Sequence, residues 1–483
     1  MTQLKSEAAG TRAAPDVSAG GALPGVPRAG KRRGRGNMVA AAAALAAVVL
    51  AACYVAGVGT ASLRLVQGAV AVIAAAYLVA VVFKLAVVFA GATTAPRPGA
   101  AGSAARQVAS EQRVPDGAVP LYTVLVPLVD SGGPPDAAAI DVMIEALAAL
   151  DYPAERLQVL LLADEDHRPR AALPVNFEIV GVGSANRAAA CAVGLARARG
   201  ELCVVYDIGQ RPDPGQLRTA AAAFGELPAW VVCVRPEMRR EAPDTGWLPK
   251  CVAAESAVSS ALFLRGLDRL ELPMPLGGSS CHVRTEALRR LGLWGAEDHA
   301  EGADLGVRIA RRGWRARMIA SVTNEAADRD LGRWLRKRTT TSGNDHRTWL
   351  AHIRTPHRLF RDLGPVRFVG MQLTAAMSML TVLANPVFWI VTLAWLVLGS
   401  GQITQVFPLQ ELAAVVAIML LGNLINAYSL MVGCMAQGRF AAVAAMLLAP
   451  LYWALMSLAA YRALFFAIRP VPAQKAVPSV AAS

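Results

Sequence analysis

The sequence predicts an α/β domain, built on an open and mainly parallel sheet, set between groups of membrane-spanning helices. Three observations predict it. Short β-branched runs alternate with Ala-rich stretches of helical length between about Leu121 and Leu350. Long apolar runs with almost no charge flank that region on both sides. The 483 residues are 55% hydrophobic and 17% charged, and the mean hydropathy of +0.40 is high for a soluble enzyme. This composition excludes a disordered or collagen-like chain.

Residues 1–36 read as a disordered basic arm, with Arg28, Lys31, Arg32, Arg33 and Arg35 clustered ahead of the first apolar run. Two spans are expected within residues 37–91. Met38–Gly57 is uncharged and long enough to cross hydrocarbon, which takes about 20 helical residues. A second run, Leu65–Ala90, follows after a short loop, so a transmembrane hairpin is preferred to a signal peptide, whose apolar core is shorter, roughly 7–15 residues. The positive arm then places the N-terminus and the central domain in the cytoplasm of a multi-pass plasma-membrane protein. Lys84, near the end of the second run, is expected to snorkel towards the interface.

Residues 92–118 form a Gly/Pro/Ala linker, and 119–350 the cytoplasmic domain. Its strands are expected at Tyr122–Val129, Gln158–Leu162, Phe177–Val182, Leu202–Tyr206 and Trp230–Arg235. Helices are expected at Ala137–Leu150, Asn186–Arg199 and Pro214–Glu226. Sheets of this kind bind ligands beyond the carboxyl ends of their strands. The seven cysteines lie far apart with no CxxC pair, and read as reduced, mostly buried thiols.

Residues 351–468 hold an interfacial segment and about three further spans: Phe368–Leu398, Leu412–Cys434 and Phe440–Ile468. The first is broken by Asn385-Pro386 and is long for one crossing, so it is either one kinked helix or a re-entrant segment plus a span. Residues 469–483 read as a disordered tail.

Seven segments, in this order and spacing, carry a family resemblance: Val124–Leu128 (VLVPL), Ala148–Pro153 (AALDYP), Val205–Asp207 (VYD), Arg211–Pro214 (RPDP), Pro275–Ser279 (PLGGS), Ala303–Gly306 (ADLG) and Trp334–Arg336 (WLR). Together they resemble the membrane-bound family-2 glycosyltransferases related to cellulose synthase, over about Leu121 to Ile468. The resemblance implies a cytoplasmic GT-A (nucleotide-diphospho-sugar transferase-like) domain that transfers a hexose with inversion. It implies a nucleotide-sugar donor, a lipid or polysaccharide acceptor, and Mg²⁺ or Mn²⁺ to neutralise the leaving diphosphate.

Carried over residue by residue, the resemblance places the metal on Asp207. The donor falls to Asp164, Arg187, Asp207, Gly277, Gly278 and Arg338. The sequence departs from the pattern at three motifs. Gly209 and Gln210 stand where further metal-site acids are expected. Gly302 stands at the base position of the TED motif, leaving Glu301 and Asp298 as candidate relocated bases. Lys337–Thr341 (KRTTT) stands where the family carries QxxRW. The basic run Arg336–Arg338 suits either phosphate or lipid headgroups, and Asp207 either a metal or a strand-end turn. Asp304 is read as a helix cap or brace, and His282 as a structural hydrogen-bonding residue.

Two functions from different classes follow. One is a pseudoglycosyltransferase, a scaffold or regulator working with a membrane partner protein. The other is an active hexosyltransferase with a relocated base. Losses in the metal, base and acceptor motifs together favour the first. Nucleic acid is not an expected partner despite a net charge of +13, because juxtamembrane placement beside anionic lipid accounts for the basic excess.

Overall fold

The computed structural model describes residues 60–93, 116–128, 137–163, 173–182, 186–242, 246–292, 303–398 and 409–468. The basic arm, the first apolar run, most of the linker and the tail fall outside these residues. The described chain opens with the long helix α1 (Thr60–Ala92). Then come β1 (Tyr122–Pro127), α2 (Ala137–Ala148), β2 (Leu157–Ala163), β3 (Phe177–Gly181), α3 (Arg187–Arg197), β4 (Leu202–Val205), β5 (Gln210–Pro212), α4 (Gln216–Glu226) and β6 (Val231–Glu241). A continuous helical run follows, made of α5 (Trp247–Ser256), a π-helical stretch Ala257–Phe263 and α6 (Leu264–Arg269). The domain is completed by β7 (His282–Arg284), α7 (Thr285–Arg290), α8 (Ala303–Arg311) and β8 (Arg315–Ala326). Five more helices end the described chain: α9 (Leu331–Ile353), α10 (Pro356–Leu363), α11 (Pro365–Leu398), α12 (Leu409–Ala436) and α13 (Ala449–Ile468).

The eight strands form one sheet in the order β3-β2-β1-β4-β7-β6-β8-β5. The expectation of a mainly parallel sheet holds for the first four strands and again for β6 beside β8, and fails at β7 and β5. β7 runs antiparallel to both β4 and β6, and β5 antiparallel to β8, so the sheet is mixed. His282–Arg284 is a three-residue strand that enters the sheet from the loop after α6 and runs against both of its neighbours. Three strands escaped sequence reading, β5, β7 and β8, and β6 continues well past Arg235 to Glu241.

Alternation along the central strands builds a core on each face. Leu125, Leu160 and Leu162 point to one side, with Cys191 and Leu195 of α3 and Ile309 of α8. Tyr122, Val124, Val126, Val159 and Leu161 point to the other, with Ile140 and Met143 of α2 and Leu217 of α4. A period of two with both faces apolar is the pattern of a strand covered on both sides.

Among the described residues, four stretches are long and apolar enough to cross a membrane: Gln67–Ala92, Pro365–Trp389, Ala413–Ala436 and Ala444–Phe465. The sheet domain is seated on α1 through glycine. A Cβ on Gly91 would lie 1.9 Å from the Leu262 carbonyl oxygen, and one on Gly266 would lie 1.9 Å from that of Val87. Backbone therefore packs on backbone where α1 meets the π-helical stretch and α6. Pro386 sits inside α11, which continues as one helix through Asn385-Pro386. The missing N–H would orphan the Val382 carbonyl; Ser457 Oγ donates to it at 2.7 Å, and Tyr461 Oη donates to the next carbonyl, Leu383, at 2.6 Å. The apolar run expected at Phe440–Ile468 begins instead with short 3-10 turns before α13.

Candidate functional site

Strand β4 ends at Val205, and the chain turns outward at Asp207 over the carboxyl edge of the parallel half of the sheet. The turn closes with Gln210 N–H donating to the Asp207 carbonyl at 3.1 Å. Gly209 takes φ +88°, a conformation that disfavours any side chain. That requirement supplies a local reason for glycine where the family pattern has an acid. Gln210 is turned inward: its Nε2 donates to Ser279 Oγ at 2.9 Å, and its Oε1 accepts from Asp207 N–H at 3.1 Å. An amide committed on both ends and buried is not a metal ligand.

The loop Pro275–Ser280 runs beside this turn, pinned by Ser280 N–H donating to the Val205 carbonyl at 2.7 Å. Helix α3 opens under it, capped by Asn186, whose side chain accepts from Ala189 N–H at 2.8 Å. Its first residue, Arg187, reaches both elements. Arg187 Nε donates to Asp207 Oδ1 at 2.8 Å, and Nη2 lies 3.4 Å from the Gly278 carbonyl. Arg187, Asp207 and Gly278 are thus brought together. Gly277 joins them through Arg235 of β6, whose Nη2 would lie 3.1 Å from a Cβ at position 277.

Below the turn is a fully buried polar network. His282 Nδ1 accepts from Tyr122 Oη at 2.5 Å, and Nε2 lies 3.2 Å from Gln216 Oε1, an acceptor shared with Tyr206 Oη at 2.6 Å. Gln216 Nε2 donates to the Val322 carbonyl at 2.9 Å. Burial pushes the His282 imidazole down to about 3, so it is neutral and carries its proton on Nε2. Its structural role matches the reading from sequence.

Arg338 lies elsewhere. Its Nη2 donates to Glu255 Oε1 at 2.5 Å, and Tyr452 Oη donates to the other oxygen of the same carboxylate. Burial pushes the Glu255 carboxyl up, but Arg338 and Tyr452 outweigh it and hold the group below its usual range. Arg338 and Glu255 line a cavity of about 440 Å³ walled by α1, the α5–α6 helical run, α9, α11, α12 and α13, with Pro273–Pro275 at its domain end. Asp345 and His346 of α9 also line it; burial raises the Asp345 carboxyl to about 6 and lowers His346 to about 4. Lys84 faces the same space and donates to Asn426 Oδ1 at 2.8 Å, so it is held by α12 and does not snorkel.

Asp304 braces two helices, with Oδ1 2.8 Å from His352 Nε2 and Oδ2 2.8 Å from Arg308 Nε. Asp164, Asp298, Glu301 and Gly302 lie outside the described residues. Among the described residues, no group of three or more His, Cys, Asp or Glu is placed to hold a metal ion. Among the described residues, the donor set at this turn is one carboxylate engaged by a guanidinium, one glycine and one inward amide. Sequence reading missed Arg235, because nothing in the local pattern of β6 distinguishes an arginine under a loop from one on a surface.

Among solved structures, the chain is similar to a mannosyltransferase from Pyrobaculum calidifontis, PcManGT, in complex with GDP-Man and Mn²⁺. The two are 18% identical over 76% of this chain and 99% of that one, with a TM-score of 0.40. No family model and no curated protein matches the chain.

Proposed function

We propose that this chain is a membrane-embedded family-2 glycosyltransferase-like protein of cell-envelope polysaccharide or glycolipid assembly that has lost metal-dependent sugar transfer. In this reading its GT-A domain faces the cytoplasm, and the protein acts as a pseudoglycosyltransferase, a scaffold or regulator for a membrane partner. The seven ordered sequence segments support the family, and the four apolar helices support the membrane setting. The observation that carries the loss of chemistry is the Arg187–Asp207 ion pair at 2.8 Å, with Gln210 turned away beside it. The carboxylate that would hold a divalent cation is neutralised by a side chain of the same protein. Among the described residues, a cation would have to displace Arg187 and would then find a single carboxylate.

The test uses the full chain in detergent with a panel of uridine and guanosine diphosphate sugars, with and without Mn²⁺. Ligand at about 100 times its dissociation constant stabilises a fold by roughly 2.7 kcal/mol, an easily read melting shift. The expected result is no Mn²⁺-dependent shift and no release of nucleoside diphosphate from any donor. A donor that gives both overturns the proposal, and restores an active hexosyltransferase with a base among Glu301 and Asp298.

A further inference from the structure

Helix α10 has two unlike faces. On the inner one, Leu359 and Leu363 are buried against Val307 and Ala310 of α8 and Met371 of α11. Asp362 adds an ion pair on this side, accepting from Arg311 Nε at 3.0 Å and Nη2 at 2.8 Å. Arg311 belongs to α8, and its Nη1 lies 3.3 Å from His352 Nδ1 of α9. The helix is therefore joined to the domain through leucines and one ion pair.

The outer face is basic and apolar together. His357, Arg358, Phe360 and Arg361 are exposed, and so is Arg354 at the end of α9. Among the described residues, no acid lies at ion-pair distance from Arg354, Arg358 or Arg361, and Asp362, the one acid of α10, is taken by Arg311. Phe360 is 47% exposed, although its ring meets that of Phe368 of α11 edge-on with centroids 5.4 Å apart. Val366, in the first turn of α11, is 70% exposed.

The place of this face in the fold gives it a partner. The stretch of α11 long and apolar enough to cross a membrane starts at Pro365, so Phe360 and Val366 lie where that stretch begins. Gly364 takes φ +74° between the two helices, a conformation open to glycine that lets the chain break direction there. A short helix that turns aside at the mouth of a span, with an apolar edge and unpaired guanidinium groups beside it, has the chemistry of a segment lying in the headgroup layer. Guanidinium groups suit phosphate oxygens, and anionic lipid gives that layer a negative potential.

We infer that the outer face of α10, with Arg354, Arg358 and Arg361, binds the headgroups of anionic phospholipids while Phe360 and Val366 enter the acyl boundary. The inference rests on the reading that α11 crosses the bilayer. Lipid that holds α10 also holds α8, because Asp362 and Leu359 tie the two helices together. Membrane composition thereby reaches the helix that carries the Ala303–Gly306 segment.

The experiment titrates the full chain, in an uncharged detergent, with phosphatidylglycerol or phosphatidylcholine and follows hydrogen exchange in Pro356–Leu363. Phosphatidylglycerol should slow exchange in α10 at lower concentration than phosphatidylcholine, and added salt should move its midpoint upward. In the triple variant Arg354→Gln, Arg358→Gln and Arg361→Gln, the phosphatidylglycerol midpoint should rise about fivefold per arginine removed, roughly a hundredfold in all. Equal slowing by the two lipids, or an unchanged midpoint in the variant, overturns the inference. If the variant fails to fold, the salt series on the native chain decides, and a midpoint indifferent to salt overturns it. Alkaline carbonate extraction of membranes tests the underlying reading separately. Release of the chain to the soluble fraction overturns the membrane setting, whereas a retained chain with no preference for anionic lipid overturns the inference alone.

Discussion

Acid should unfold this protein through His282, and the size of the effect can be worked from its burial. The imidazole is fully buried, neutral and held at about 3, whereas an unfolded histidine titrates near 6.5. Below pH 6.5 the unfolded state takes up a proton that the native state refuses until about pH 3, so stability falls as pH falls across that window. One proton over one pH unit is worth about 1.4 kcal/mol, so moving from pH 7 to pH 5 removes about 2 kcal/mol through this residue alone. His346, lowered to about 4 by burial, acts with the same sign. Asp345, raised to about 6 by burial, acts against them, because its native carboxyl gains a proton before the unfolded one does; over the same interval it returns roughly 1 kcal/mol. The decisive quantity is therefore the difference between the native protein and His282→Gln, in which the other groups cancel. Glutamine keeps hydrogen-bonding capacity beside Tyr122 and Gln216 and has no proton to gain. Denaturant unfolding in detergent at pH 7, 6 and 5, followed by tryptophan fluorescence, should show the native protein losing about 2 kcal/mol more than the variant. Parallel pH profiles for the two proteins would refute the argument, and would mean that His282 is protonated or solvated in the native state.

Two further outcomes are expected. Gly266→Ala puts a Cβ 1.9 Å from the Val87 carbonyl and should destabilise the chain by about 1–3 kcal/mol, read as a lower melting temperature, whereas Ala at Gly225, where nothing lies within 4 Å, should not. Glu255→Gln leaves Arg338 without its counter-charge in the cavity wall and should cost roughly 3 kcal/mol; adding Arg338→Met should recover much of that loss, because removing both charges avoids an unpaired one.

The parallel half of the sheet was legible because its strands and helices repeat on a fixed rhythm. Val159–Ala163 and Leu202–Val205 are continuous apolar runs, and each lies next to a stretch of helical length. The mixed half was not, because β7 is three residues long and β8 carries three basic or acidic side chains along its length, Arg315, Arg317 and Glu325. Those charges find partners in Glu271, Asp268 and Lys337, which come from other elements, so the strand offers no alternation to read. The candidate site divides in the same way. Asp207 and Gly278 could be picked from motif order, while Arg235 and the inward turn of Gln210 depend on which strand passes beneath which loop.

Local chemistry set down along the chain was enough to establish the apolar spans, the α/β rhythm, the glycine at 209 and the missing acids beside Asp207. These are properties of neighbours in sequence, and short-range sterics and hydropathy govern them. The partner of each charge was decided by folding. Asp207 meets Arg187 across 20 residues, Arg338 meets Glu255 across 83, and Lys84 meets Asn426 across 342. Coulomb energy depends on distance in space and on the solvent excluded between the charges, and neither quantity exists until the helices and sheet have packed.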